Sequence, residues 1–114
     1  MLANKNRLKI STEFKSVEEN GKLIQFPNFG VVILDRKDEG PSRFGFVVST
    51  KISKDAVDRN RIKRVIREVI RTSMVNIKDG FDVVYLAKPS VVRVPTSDLM
   101  REVRESLGET KLLK

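Results

Sequence analysis

Residues 56–74 carry the longest helical signal in the chain. Val57, Ile62, Val65, Ile66, Val69 and Ile70 gather on one side of a helical wheel, with basic residues on the other. Asp55 is placed to cap this helix, and Asp58 adds favourable charge to its first turn. On either side the hydrophobic period shortens to that of strands, at 43–50 and 81–88. The second strand is so continuously apolar that both of its faces must be buried, as in a parallel pairing. A long helix between two such strands implies a βαβ crossover, with helices covering one sheet face, and argues against a bundle or a barrel. At 114 residues there is room for one core, because two halves would each be too small to bury their own. Residues 1–114 are therefore read as a single domain.

Ahead of the crossover, Ile10, Phe14 and Val17 recur at helical spacing, behind a Ser11 or Thr12 cap and before an Asn20-Gly21 stop. Residues 23–26 and 29–34 read as strands divided by Pro27-Asn28, since proline cannot donate to a central ladder. A polar loop over 35–41 leads into the 43–50 strand, and Lys78-Asp79-Gly80 is a turn. After Pro89 and Pro95, Thr96 is placed to cap a last helix in which Leu99, Val103 and Leu107 repeat every fourth residue. The expected class is α+β, in the order helix-strand-strand-strand-helix-strand-helix, with one sheet face free to stay open.

The chain has no cysteine and no histidine. Disulfides, thiolate nucleophiles, Cys/His zinc sites and imidazole proton shuttles are excluded. A net charge of +8 and a pI of 10.1 instead favour a polyanionic partner, through Coulomb attraction and counterion release. No apolar run approaches the ~20 residues of a membrane span. Asn4, Lys5, Arg7 and Lys9, with no apolar stretch behind them, do not resemble a signal peptide. No membrane partner and a cytoplasmic location are expected.

Much of the charge is concentrated. Residues 51–71 hold eight basic residues against three acidic ones. Asn60, Arg64, Arg67 and Arg71, spaced four, three and four, form a stripe opposite the apolar side, flanked by Lys63 and Arg61. Such a stripe can follow a phosphate backbone, with arginine forks giving bidentate bonds and lysine a point charge. The asparagine can read a base edge or a 2′-hydroxyl. A solvated helix face is the plainer alternative, but it normally mixes signs in i, i+4 pairs, and here Glu68 alone faces the cations.

The run Ala56-Val57-Asp58-Arg59-Asn60-Arg61-Ile62-Lys63-Arg64-Val65-Ile66-Arg67-Glu68 resembles the signature of the protein subunit of bacterial ribonuclease P, an Arg-Asn-Arg-x-Lys-Arg segment opening a long helix. The likeness extends to Asn6-Arg7-Leu8, Phe14, Gly45-Phe46-Val47-Val48-Ser49 with Lys51, Gly80-Phe81-Asp82-Val83-Val84 and Ala87-Lys88-Pro89. It implies a ribosomal-protein-like two-layer sandwich with a left-handed crossover, a handedness opposite to the general expectation. It also implies a ribonucleoprotein whose catalytic RNA, with magnesium held mainly by that RNA, removes the 5′ leader of precursor tRNA. The protein assists without catalytic or metal-binding residues of its own, and is a monomer when free. Carried over, the catalytic-RNA contacts fall on Arg59, Asn60, Arg61, Lys63, Arg64 and Arg67, which the charge stripe extends to Arg71. The leader contacts fall on Phe14, Val47, Ser49 and Lys51.

Strand alternation over 43–51 supports the second group independently. Phe44, Phe46 and Val48 share one face, and Gly45, Val47, Ser49 and Lys51 form a small, polar face on the other. Whether Val47 is covered by the first helix, and whether Phe14 packs that helix or offers a stacking surface, stays open from the residues alone. The chain departs from the family pattern at Glu18, where a second aromatic is usual one turn after Phe14. It departs again at Thr50, where a lysine is usual, and at Val32, where an aromatic is frequent. These changes weaken the expectation of tight leader stacking.

Two other classes compete. A nuclease acting alone needs carboxylates converging on magnesium. Glu13, Glu18, Glu19, Asp35, Asp38, Asp79 and Asp82 show no spacing that demands this. A non-catalytic RNA-binding scaffold such as a ribosomal protein would share the basic helix, without reason to match the serine-lysine strand end as well.

Overall fold

A computed structural model of the chain describes residues 2–9 and 11–114. Its main elements are α1 (Ser11–Asn20), β1 (Lys22–Gln25), β2 (Phe29–Asp35), β3 (Arg43–Val47), α2 (Ala56–Ser73), β4 (Phe81–Ala87) and α3 (Thr96–Glu109). Short 3-10 helices lie at Asn4–Asn6, Met74–Asn76 and Pro89–Arg93. The strands form one sheet in the order β1-β2-β4-β3. β4 runs parallel to β3, with Phe44 opposite Val83, and antiparallel to β2, with Val31 opposite Tyr85. The predicted βαβ unit is thus β3-α2-β4, with its two strands adjacent.

Alternation along the strands divides two apolar layers. Phe29, Val31, Phe44, Val83 and Tyr85 point to α2 and α3, where Ile62, Ile66, Ile70, Leu99, Val103 and Leu107 complete the main core. Val32 and Val84 point the other way and pack with Val17 of α1 and Leu8 of the N-terminal segment. Within the main core the Tyr85 hydroxyl shares a 2.8 Å hydrogen bond with Ser106 Oγ, tying β4 to α3. Burial pushes the Tyr85 phenol well above its usual range and keeps it neutral.

Several sequence expectations shift. Asp55 caps α2, accepting from the Val57 amide at 2.9 Å. Val57, grouped with the core from its position on the wheel, is 73% exposed. The first turn of α2 carries it clear of the apolar layer that Ile62 is the first of the helix to enter. β3 ends at Val47 rather than at residue 50: Ser49 C=O accepts from Ile52 N–H at 3.0 Å, closing a turn, so Ser49 and Lys51 lie in that turn. Thr96 is the first residue of α3 without acting as its cap, and its hydroxyl accepts from Arg61 instead. Ser11 and Thr12 are likewise inside α1, and Ile10 lies outside the described residues.

The C-terminal tail, absent from the sequence reading, closes the main core. Lys111 adopts a left-handed conformation after α3, Leu112 is fully buried, and Lys78 N–H donates to Leu112 C=O at 2.8 Å. Gly80, in the predicted turn before β4, has φ +90, and a Cβ there would lie 2.4 Å from Asp38 C=O. Ile66→Ala should destabilise the fold by about 2 to 5 kcal/mol through a core cavity. Tyr85→Phe should cost about 1 kcal/mol by removing the hydrogen bond between β4 and α3, while the Ser106 hydroxyl keeps its bond to Val103 C=O. Urea denaturation measures both, and an Ile66→Ala loss under 1 kcal/mol would place that side chain outside the core.

Candidate nucleic-acid interface

Basic side chains on α2 fall into two groups by what they touch. Arg59 donates to Ser53 C=O at 2.8 Å, shaping the 48–55 connection into α2. Arg61 donates to Val92 C=O at 3.1 Å, Val94 C=O at 3.3 Å and the Thr96 hydroxyl at 3.2 Å. The two arginines of the Arg-Asn-Arg signature therefore fasten α2 to its neighbours. Asn60 and Arg64 project into solvent, and Lys63 and Arg67 are half-buried. Arg67 lies over the Phe46 ring, 5.9 Å from its centroid, where a cation is attracted to the aromatic face. Among the described residues, no ion pair involves Lys63, Arg64 or Arg67. Arg71 at the end of the stripe pairs with Glu68, whose carboxyl it holds below the usual carboxylate range.

The second cluster forms where α1 crosses the sheet. Phe14 is half-buried and its ring rests on Gly45 of β3: a Cβ at Gly45 would lie only 2.3 Å from Phe14 Cε1. The glycine is required by this close approach of ring to backbone. Phe14, Val47 and Leu86 pack against the same apolar layer as Val32 and Val84, so the structure brings Phe14 and Val47 together. Ser49 and Lys51 lie beyond the strand end, both exposed. Glu18 points to solvent, and Val32 is covered beneath α1. Gly30 and the half-exposed Leu23, whose Cδ1 would lie 3.1 Å from a Cβ at Gly30, continue this side of the sheet beyond α1.

The two clusters meet around the outer edge of β3. A cleft of about 150 Å³ is lined by Arg7, Leu8, Phe14, Phe44, Gly45, Phe46, Lys63 and Arg67. Arg7 and Phe46 were missed as site residues by the sequence reading. Arg7 arrives because the N-terminal segment lies along β3, with Leu8 N–H donating to Phe44 C=O at 3.0 Å. Asn6 anchors that segment by donating to Ser42 C=O at 2.8 Å. Phe46 was assigned to the core by alternation, yet at the sheet edge one flank of its ring is left for Arg67.

No group of three or more acidic side chains among the described residues is arranged to hold a metal ion. Of the carboxylates near α1, Glu13 and Asp82 are engaged by Arg43 and Arg36. No described helix is long and apolar enough to cross a membrane.

A small α+β sandwich with a basic crossover helix beside an aromatic cleft defines a class of protein built to meet a polyanion. Sequence comparison makes this specific: the family described as Ribonuclease P matches residues 2–111, and the chain belongs to it. The ribonuclease P protein component of Synechocystis is 36% identical over 107 residues, covering 94% of this chain and 86% of that protein. That of Thermoanaerobacter sp. is 35% identical over 106 residues, covering 93% and 90%. The Staphylococcus aureus RNase P protein superposes with a TM-score of 0.87 at 26% identity, covering 95% of this chain and 97% of that one. The Thermotoga maritima RNase P protein gives 0.79 at 28% identity, covering 91% and 96%.

The division among the α2 cations has a direct consequence. Arg61→Ala should lower folding stability by about 1 to 3 kcal/mol, because three acceptors lose a charged donor. Arg64→Ala should leave stability unchanged and flatten the log K versus log salt slope for RNA binding by roughly 0.7 to 0.9, one phosphate contact. Thermal melts paired with salt titrations separate the two effects. An identical pattern for both variants would show that the arginines share one role.

Proposed function

We propose that this chain acts as the protein component of a ribonuclease P ribonucleoprotein, binding a catalytic RNA through α2 and the 5′ leader of precursor tRNA in the cleft beside α1. The observation that carries this reading is the set of α2 cations without acidic partners, Lys63, Arg64 and Arg67, two of which also line the cleft under Phe14. Arginine and lysine on one exposed helix face supply the positive potential that two RNAs need in order to approach each other. Phe14 offers a partly open ring above Gly45, whose lack of a side chain keeps the cleft floor low, and Val47 packs in the same layer under α1. Asn60 stands exposed to donate to and accept from a base edge or a 2′-hydroxyl.

Hydrolysis is assigned to the RNA partner. Magnesium supplies Lewis-acid chemistry there, and the protein's carboxylates do not fit a site for it, since those beside the cleft are engaged by arginines. The protein's share is to lower the electrostatic cost of assembly and to hold the leader. A cytoplasmic location fits a partner made and used where tRNA is processed.

Two tests follow. Protein verified free of nucleic acid should cleave no RNA, yet should speed cleavage by a bacterial ribonuclease P RNA at low magnesium; cutting by the protein alone would overturn the assignment of chemistry to RNA. Phe14→Ala should weaken binding of precursor tRNA by up to ~1 to 3 kcal/mol and leave mature tRNA binding unchanged, because only the precursor has a leader. Glu18→Phe should strengthen precursor binding by removing a negative charge and adding a stacking surface. A precursor-to-mature affinity ratio unaltered in both variants would mean that the leader does not run past α1.

A further inference from the structure

The α1 side of the sheet carries a chain of charged contacts that takes no part in the main core. Glu13, on the first turn of α1, accepts the Lys9 amide on Oε1 at 2.8 Å and Arg43 Nη1 of β3 on Oε2 at 2.5 Å. Arg43 also grips Asp82 of β4 with two parallel bonds of 2.9 and 2.7 Å. The Asp82 side chain is only 5% exposed and is held from its other side by Arg36, which in turn binds Asp38 and the Pro41 carbonyl. Hydrogen bonding to Asp82 raises the Arg43 pKa, so the guanidinium stays charged throughout the accessible pH range. The chain runs from α1, across β3 and β4, to the loop before β3.

Its placement bears on the cleft. α1 has ten residues, of which Val17 alone is fully buried, so few contacts fix its orientation on the sheet. Glu13 and Phe14 are neighbours on α1, and Arg43 and Gly45 share one face of β3. The ion pair therefore sits immediately beside the seat of the Phe14 ring. It also screens the Glu13 carboxylate, whose charge would otherwise repel a phosphate backbone entering beside Phe14 more strongly.

We infer that Glu13 is a positioning residue for leader binding, holding α1 through Arg43 so that Phe14 stays seated on Gly45 at the wall of the cleft. The inference rests on the leader-binding reading above. Glu13 touches no nucleotide in this account, and its effect is confined to the substrate that threads the cleft.

The experiment uses the full chain assembled with a catalytic RNA, and measures affinity for precursor and mature tRNA side by side in Glu13→Ala, Arg43→Lys and Phe14→Ala. Glu13→Ala should lower precursor affinity about two- to fivefold, the scale of a partly exposed ion pair. Mature tRNA and catalytic-RNA affinities should not change. Arg43→Lys keeps a cation beside Asp82 but loses the planar fork that reaches Glu13 as well, and should reproduce the selective loss. If Phe14→Ala lowers the precursor-to-mature ratio while both ion-pair variants leave it unchanged, the positioning role is wrong and leader binding stands. An equal loss for precursor, mature tRNA and catalytic RNA would make Glu13 a general stabiliser and overturn the inference. A ratio unmoved in all three variants removes the leader-binding reading and the inference together.

Discussion

Burial of β4 on both faces is the constraint from which the rest of the molecule follows. Val83 and Tyr85 point into the layer under α2 and α3, while Asp82 and Val84 point beneath the α1 side. The strand is also hydrogen-bonded on both edges, parallel to β3 and antiparallel to β2. A strand enclosed in this way needs cover on each side, which sets α2 and α3 on one face and α1 on the other. It also fixes β3 as an outer strand, and it is around that outer edge that the cleft forms. The candidate site therefore sits where the sheet stops being a core and becomes a rim.

On the proposed function, the rim is what lets one short domain serve two RNA partners. The α2 cations face outward from the helix that buries the main core, and Lys63 and Arg67 reach around β3 toward the cleft wall formed by Arg7 and Phe14. The apolar side of α2 carries stability and its polar side carries charge, so substitutions on the two sides should separate cleanly in effect. Arg59 and Arg61 qualify that division. Both are cations on the helix that are bound to backbone carbonyls, and so belong to the scaffold as much as to the surface.

Much of this was legible in the sequence because it is periodic. The α2 pattern, the continuous run of β4 and the i, i+4 repeat of α3 gave the elements and their order, and alternation in β3 correctly separated Phe44 from Gly45 and Val47. What alternation cannot show is where a strand ends. The turn closed by Ser49 and Ile52 removed Ser49 and Lys51 from the strand face. Helical spacing likewise cannot show where a helix outruns its sheet, which is why Val57 is exposed. The roles of Arg7, Arg43 and Glu13 were hidden for a different reason: they depend on partners 30 or more residues away, brought together only by the register of β3. The wheel showed which α2 residues are basic, but not which of them find carbonyls on the segment after β4.

The central claim is that α2 and the α1 cleft meet different RNAs, and the absence of cysteine allows a direct spatial test. A single cysteine placed by Thr50→Cys in the turn that holds Ser49 and Lys51, or by Thr72→Cys on α2, would carry a tethered iron chelate into the complex with catalytic RNA and precursor tRNA. Hydroxyl radicals generated at position 50 should cut the leader of the precursor, and those from position 72 should cut the catalytic RNA. Cuts from position 50 confined to the catalytic RNA, with the leader untouched, would contradict the account.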